Sequence, residues 1–138
     1  MSTDGREEGT DVGRADVSVR ELQARVDAWI GQFKEGYWPP LANLARLVEE
    51  VGELSRELNH RYGPKKKKAS EADADLALEI ADVMFVLVAL ANSLNLDLTD
   101  AVQRTLEKYR VRDSNRWARK DGADGGGGAD GGGGEGAP

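Results

Sequence analysis

L-A-L-E-I-A-D-V-M-F-V-L-V-A-L, from Leu76 to Leu90, is the stretch that decides the fold. It does not alternate as a strand would. It reads as part of a helix that is apolar nearly all round, and so central to the domain or at a subunit interface. Only Glu79 and Asp82 interrupt it. An ionised carboxylate taken into a dry core costs far more than one helix recovers. Something positive must compensate. The chain has no Cys and one His. The expected compensator is therefore a hard divalent cation bound by oxygen, Mg²⁺ first among them.

A second acidic group precedes it, E-E-V-G-E at Glu49–Glu53. Glu50 and Glu53 are three apart on a helix and share a face, as do Glu79 and Asp82. Two helices that each present two carboxylates one turn apart can converge on one ion. Glu49 and Glu53 are four apart, as are Glu53 and Glu57, a spacing at which like charges repel. Gly52 costs about 1 kcal/mol relative to Ala in mid-helix; its missing side chain suggests a close helix crossing beside the site. Taken alone, E-E-V-G-E describes a solvated face, with Arg46 and Arg56 as ordinary ion-pair partners of Glu50 and Glu53. The E-I-A-D pair, with few polar neighbours, moves the reading to metal. A ferritin-like di-iron centre needs Glu-x-x-His on two helices, and the single His60 lacks that context. His60 is expected to be a helix-end residue.

Four helical segments are expected. Ser18 and Glu21 have capping-box spacing at the start of the first. Val19, Leu22, Val26, Trp29, Ile30 and Phe33 follow at helical intervals, with Trp29 and Phe33 fitting the core pattern. Gly36 and Pro39-Pro40 break it. The second runs from about Leu41 to His60, with Leu44, Leu47, Val48, Val51, Leu54 and Leu58 as its apolar face, closed by Gly63-Pro64. A loop with Lys65–Lys68 follows and reads as solvated. Ser70 is a candidate cap for the third, which extends to about Leu94. Asp97 or Thr99 caps the fourth, from about Asp100 to Trp117. The reading is an all-α bundle of four to five helices.

The domain is expected at residues 17–120, between a disordered N-terminal segment, 1–16, and a flexible Gly-rich tail, 121–138. About a hundred residues build only a modest core, which favours a homo-oligomer, dimer or tetramer. The formal charge of −6 argues against sequence-independent nucleic-acid binding. No run is expected to reach membrane-spanning length, since Glu79 and Asp82 interrupt the apolar stretch, and the N-terminus lacks signal-peptide features. A cytoplasmic protein is expected.

The chain resembles the MazG-like nucleoside triphosphate pyrophosphohydrolases, and within them the small single-domain, YpjD-like branch. The resemblance rests on E-E-V-G-E at 49–53 followed by E-I-A-D at 79–82. It extends to G-Q-F-K-E-G-Y-W at 31–38, N-H-R-Y-G at 59–63 and R-W at 116–117. It implies cleavage between the α- and β-phosphates of a nucleoside triphosphate, giving monophosphate and pyrophosphate, with Mg²⁺ or Mn²⁺ as the cation. It implies Glu50, Glu53, Glu79 and Asp82 as metal ligands. Glu50 and Glu49 are the candidate catalytic residues; Glu49 either binds a second ion or orients the attacking water. Lys108 and Arg112 match the family's phosphate-binding element on the last helix, although Asp113 stands where an aromatic is usual; plain surface charges are the other reading. Lys34 and Arg116 are further phosphate candidates. Trp38, Tyr37 and Asn43 are candidates for the base, with core packing as the alternative for Trp38. Two other functions stay open: a non-catalytic helical metal-binding or interaction module, and a specialised dUTPase, dCTPase or phosphoribosyl-ATP pyrophosphohydrolase.

Overall fold

Ser18 opens the first helix of the computed structural model as its spacing predicts. Its side chain accepts from Glu21 N at 3.1 Å, satisfying a free donor of the first turn. The reciprocal half of the capping box is absent, because the Glu21 carboxylate pairs with Arg25 at 2.7 Å. The structure describes residues 15–72 and 74–120; the expected Gly-rich tail and all but the last two residues of the expected N-terminal segment lie outside them. Four α-helices and no strand occur among the described residues: α1 Val19–Gly31, α2 Pro40–Tyr62, α3 Leu76–Ser93 and α4 Leu98–Asp113.

Three boundaries differ from expectation. Phe33 falls past the end of α1. α3 starts at Leu76 and not near Ser70, because Asp75 is its cap and accepts from Ala77 N and Leu78 N. α4 is shorter than expected, ending before Arg116 and Trp117; at its start Asp97 accepts from Thr99 N at 2.9 Å. α2 carries Pro40 in its first turn, where a missing N–H costs nothing. It stops at Gly63, where a Cβ would collide with the side chain and carbonyl of Asn59. At Gly52 a Cβ would meet nothing within 4 Å. The close helix crossing expected there is therefore not made among the described residues.

The chain divides into two compact units, Met1–Thr99 and Asp100–Pro138. In the first, α3 packs against both α1 and α2. Val26, Val88 and Ala89 form the buried centre, bordered by Leu22, Ile30, Tyr37, Phe85 and Leu98. Gln23 ties α1 to the far end of α3. Its amide donates to Asn92 Oδ1 at 2.9 Å and Leu96 O at 2.8 Å, and its carbonyl oxygen accepts from Leu98 N at 2.9 Å. Asn92 returns a bond to Gln23 O. Every side-chain polar group of that pair thus has a partner in a part-buried setting.

The core is small. Leu78, Ile80, Met84 and Leu87 on α3 and Leu41, Leu44, Val48 and Val51 on α2 are exposed in the single chain. α3 reaches 18 residues and is apolar enough, by length and composition, to cross a membrane. The expectation that no run reaches that length is corrected, since two acids in 18 residues do not lower its mean hydropathy enough. Yet α3 packs between two helices, and it carries two carboxylates that would be costly in hydrocarbon.

The second unit holds most of α4. It is laced by local ion pairs, Arg104 with Asp100 at 2.8 Å and Arg110 with Glu107 at 2.7 Å. None of its residues within α4 is buried.

Candidate active site

The cap at Asp75 places Glu79 in the first turn of α3, where the helix dipole favours negative charge. α2 presents Glu50 and Glu53 one turn apart on a neighbouring surface. One carboxylate oxygen from each of Glu50, Glu53 and Glu79 lies within 4.8 Å of the other two. Glu79 is half-buried, and its Oε2 is shielded from solvent with no hydrogen-bond partner among the described residues. Burial raises its pKa above the ordinary 4.5, and the charges of Glu53, Asp82, Glu50 and Glu57 raise it further. Arg46 approaches Glu50 at 3.7 Å. Arg56, expected beside Glu53, instead pairs with Glu71 at 2.9 Å. No cationic side chain lies within 4 Å of the Glu53 or Glu79 carboxylates among the described residues.

Asp82 and Glu49 stand outside this three-residue cluster. Both are exposed. Asp82 follows Glu79 by one turn and acts on it electrostatically. The dry-core expectation is therefore met only in part at Glu79, where one oxygen is shielded, and not at Asp82, because the α3 face carrying Asp82 is uncovered in the single chain.

Glu57, which the sequence offers only as a like charge four residues from Glu53, is 6% exposed. Its Oε1 accepts from Arg61 at 3.0 Å, and Lys67 Nζ lies 3.5 Å from its Oε2. The Arg61 bond, chiefly, together with the Lys67 charge holds its pKa below the ordinary 4.5. The available signal was the Glu57–Arg61 spacing of four, a common helix ion pair. Lys67 corrects the solvated-loop reading: its side chain is 18% exposed, with Nζ 3.5 Å from Glu57, whereas Lys65, Lys66 and Lys68 are exposed. A cavity of about 320 Å³ lies here, lined by Glu53, Glu57, Lys67, Glu79 and others. His60, at the end of α2 as expected, also faces it, and its Nδ1 is shielded without a partner among the described residues.

A second cavity of about 240 Å³ has an aromatic wall: Trp29, Phe33, Tyr37, Trp38 and Phe85, with Asn43 and Arg46. Trp29 and Phe33 meet edge to face at 5.5 Å and are 57% and 53% exposed. They line this cavity and are not core residues as expected, because no described element covers them. Arg46 stacks over Trp38 at 5.5 Å while reaching Glu50, so one guanidinium joins the aromatic cavity to the acidic cluster. Asn43 is buried and donates to Trp38 O at 3.3 Å. Tyr37 donates to Asp27 at 2.6 Å; burial, then that carboxylate, raises its pKa. Lys34 lies exposed on the α1–α2 connection.

Lys108 and Arg112 belong to the second unit. Both lie over the Tyr109 ring, at 5.2 and 4.9 Å. Arg112 pairs with Asp113 at 3.0 Å, and Arg116 approaches Asp113 at 3.5 Å. Asp113, which departs from the family element, thus occupies two of the candidate phosphate ligands.

The chain that carries this acidic cluster has relatives among known proteins. The family model described as the MazG nucleotide pyrophosphohydrolase domain matches residues 39–117. The chain belongs to this family. YpjD of Bacillus subtilis is 56% identical over 78% of this chain and 96% of its own length. The dATP/dGTP diphosphohydrolase of cyanophage S-2L is 36% identical over 75% of this chain and 82% of its own. The crystal structure of the Bacillus-conserved MazG protein, a nucleotide pyrophosphohydrolase, superposes with a TM-score of 0.61 at 45% identity, covering 75% of this chain and all of that one. That of YpjD gives 0.63 at 57% identity, over 69% and 97%. As a MazG-type protein the chain is an all-α nucleoside triphosphate pyrophosphohydrolase, a hydrolase acting on acid anhydrides.

Enzymes of the MazG type generally use a divalent metal, and the donors here suit one. Ligands on opposite sides of one hard cation, bound at about 2.0–2.6 Å, stand about 4–5 Å apart. The three carboxylate oxygens lie within 4.8 Å of one another, close enough to converge on one such ion. The partnerless Glu79 Oε2 is the buried atom that a cation would satisfy.

Proposed function

We propose that this chain is a Mg²⁺-dependent enzyme that cleaves the α–β phosphate bond of ribo- or deoxynucleoside triphosphates, releasing monophosphate and pyrophosphate. The observation that carries the reading is the convergence of Glu50, Glu53 and Glu79 around the orphaned Glu79 Oε2. These three, with Asp82 one turn along α3, hold the cation. When bound, a cation of this kind neutralises phosphate charge and lowers the pKa of a coordinated water. Mn²⁺ is expected to substitute.

The chain's own residues supply position and field. Glu50 anchors one side of the site and is itself oriented by Arg46. Glu49, exposed at the edge, orients the attacking water or holds a second ion. The aromatic cavity suits a nucleobase: Trp38 offers a ring face, and Asn43 a buried amide. The family element on the last helix makes Lys108 and Arg112 candidate phosphate contacts, and Lys34 is a further candidate. The relation to a phage dATP/dGTP diphosphohydrolase supports purine deoxynucleotides as the first substrates to try. We place the enzyme in the cytoplasm, in a house-cleaning role. Leu78, Met84, Leu41 and Val48 are all exposed in the single chain, and large apolar side chains left open on two helices support a homodimer or homotetramer.

The test is turnover of a nucleotide panel with Mg²⁺ by the wild type, Glu50→Gln and Asp82→Asn. Loss of turnover in both variants, with helical content retained, is expected. Full activity in either would remove that residue from the site.

A further inference from the structure

The aromatic cavity and the acidic cluster share one face of α2. Asn43, Arg46, Glu50 and Glu53 stand three, four and three residues apart, which sets them in a row along that face. At about 1.5 Å of rise per residue, Arg46 stands about 4.5 Å along the axis from Asn43 and about 6 Å from Glu50. Asn43 and Arg46 line the aromatic cavity. Glu50 and Glu53 belong to the acidic cluster. The one cationic side chain of the row thus lies between the two. Its guanidinium lies over the Trp38 ring at 5.5 Å. The nitrogen that approaches Glu50 is Nε, and at 3.7 Å it is beyond hydrogen-bond distance. The side chain is 41% exposed. Neither contact uses up the planar fork of Nη donors that suits a phosphate.

We propose that Arg46 binds the α-phosphate of the nucleotide. The inference rests on the functional reading above, with the base in the aromatic cavity and the cation at the carboxylates. Cleavage between the α- and β-phosphates then brings the α-phosphate to the cluster from the side of the base. The charged group standing on that path is Arg46. An aromatic ring has two faces, and Arg46 lies over one of those of Trp38. After cleavage the α-phosphate departs with the nucleoside, so Arg46 holds the monophosphate product and not the pyrophosphate. An arginine present only to neutralise Glu50 needs no place in the aromatic cavity, and this one lines it.

The experiment uses the full chain with Mg²⁺ and three probes: inorganic pyrophosphate, and the monophosphate and free nucleoside that correspond to the triphosphate hydrolysed best. Affinities are measured by calorimetry in the wild type, Arg46→Gln and Arg46→Lys, with circular dichroism as the check of folding. A hydrogen bond to a charged group is worth about 10–100-fold in affinity. Arg46→Gln is expected to weaken monophosphate binding by that factor, and nucleoside and pyrophosphate binding by less than about threefold. Arg46→Lys keeps the charge and loses the fork, and should fall between Arg46→Gln and the wild type. Monophosphate affinity within about threefold of wild type in Arg46→Gln overturns the proposal. An equal loss for the nucleoside overturns it too, since Arg46 would then act only as a support for Trp38. An equal loss for pyrophosphate does the same, since Arg46 would then act only by holding Glu50. If Arg46→Gln does not fold, Arg46→Met, which keeps the stem, carries the same comparison under the same criteria. A wild type that hydrolyses nucleotides while Arg46→Gln binds the monophosphate normally overturns this inference alone. A wild type that hydrolyses none overturns the functional reading and this inference with it.

Discussion

Glu79→Gln should make the metal-free protein more stable at neutral pH and the metal-supplemented protein less so. In the fold, the Glu79 carboxyl is half-buried among Glu53, Asp82, Glu50 and Glu57, and its pKa lies above the ordinary 4.5. A group that binds its proton more tightly in the folded state stabilises the fold fully below its unfolded pKa. That contribution is lost as pH rises through the folded value. At pH 7 Glu79 is thus a metal-free liability, and a neutral amide removes the repulsion. The same amide is a poor ligand. Loss of a supporting group around a metal typically costs about 10–100-fold in affinity, and loss of a direct carboxylate at least the upper end. At a hundred times its Kd, a cation stabilises the folded state by about 2.7 kcal/mol, or about 10–20 °C in Tm for a domain near a hundred residues. With affinity reduced a hundredfold, the same concentration gives about 0.4 kcal/mol, a rise of about 2 °C. The assay is a set of melts at pH 5, 6, 7 and 8, with EDTA and with MgCl₂. The advantage of Glu79→Gln in EDTA should grow with pH, and its rise in MgCl₂ should nearly vanish. Equal Mg²⁺-induced shifts in both proteins would refute the placement of Glu79 in a cation site.

Further outcomes follow from other contacts. Glu57 has a lowered pKa through Arg61 and Lys67, so its contribution is present above pH 4.5 and lost as pH falls through the folded value; Glu57→Gln should cost more in urea midpoint at pH 7 than at pH 3. Val86 is 1% exposed; Val86→Ala removes two methyl groups and leaves a void, and should cost about 2–3 kcal/mol in denaturant titration. Stacking of a base on an aromatic ring is worth about 1–3 kcal/mol, so Trp38→Ala should raise the nucleotide KM by about 5–150-fold while leaving pyrophosphate inhibition near wild type.

The acidic helices were legible because charge inside an apolar run is a strong signal. The 3.6-residue period then put Glu50 with Glu53 on one face. What decided Glu79 over Asp82 was not legible: the two share a face by spacing, and only the packing of α3 against α2 leaves Glu79 half-buried and Asp82 exposed. Lys67 was not legible because four consecutive lysines are usually solvated, and its approach to Glu57, ten residues earlier, is made only in the fold. Trp29 and Phe33 fit a core pattern by spacing, yet they line a cavity, since periodicity shows which residues share a face and not what covers it. The apolar face of α2 shows the same limit. Leu44, Val48, Val51 and Leu58 were expected to be covered, and these four of the six residues of that face are exposed in the single chain.

The most direct test of the central claim is ³¹P NMR of the products formed from nucleoside triphosphates with the pure protein and Mg²⁺, dATP and dGTP first. Monophosphate and pyrophosphate, absent in EDTA and restored by Mg²⁺, are the result predicted. Diphosphate and orthophosphate would contradict it, as would full turnover in EDTA.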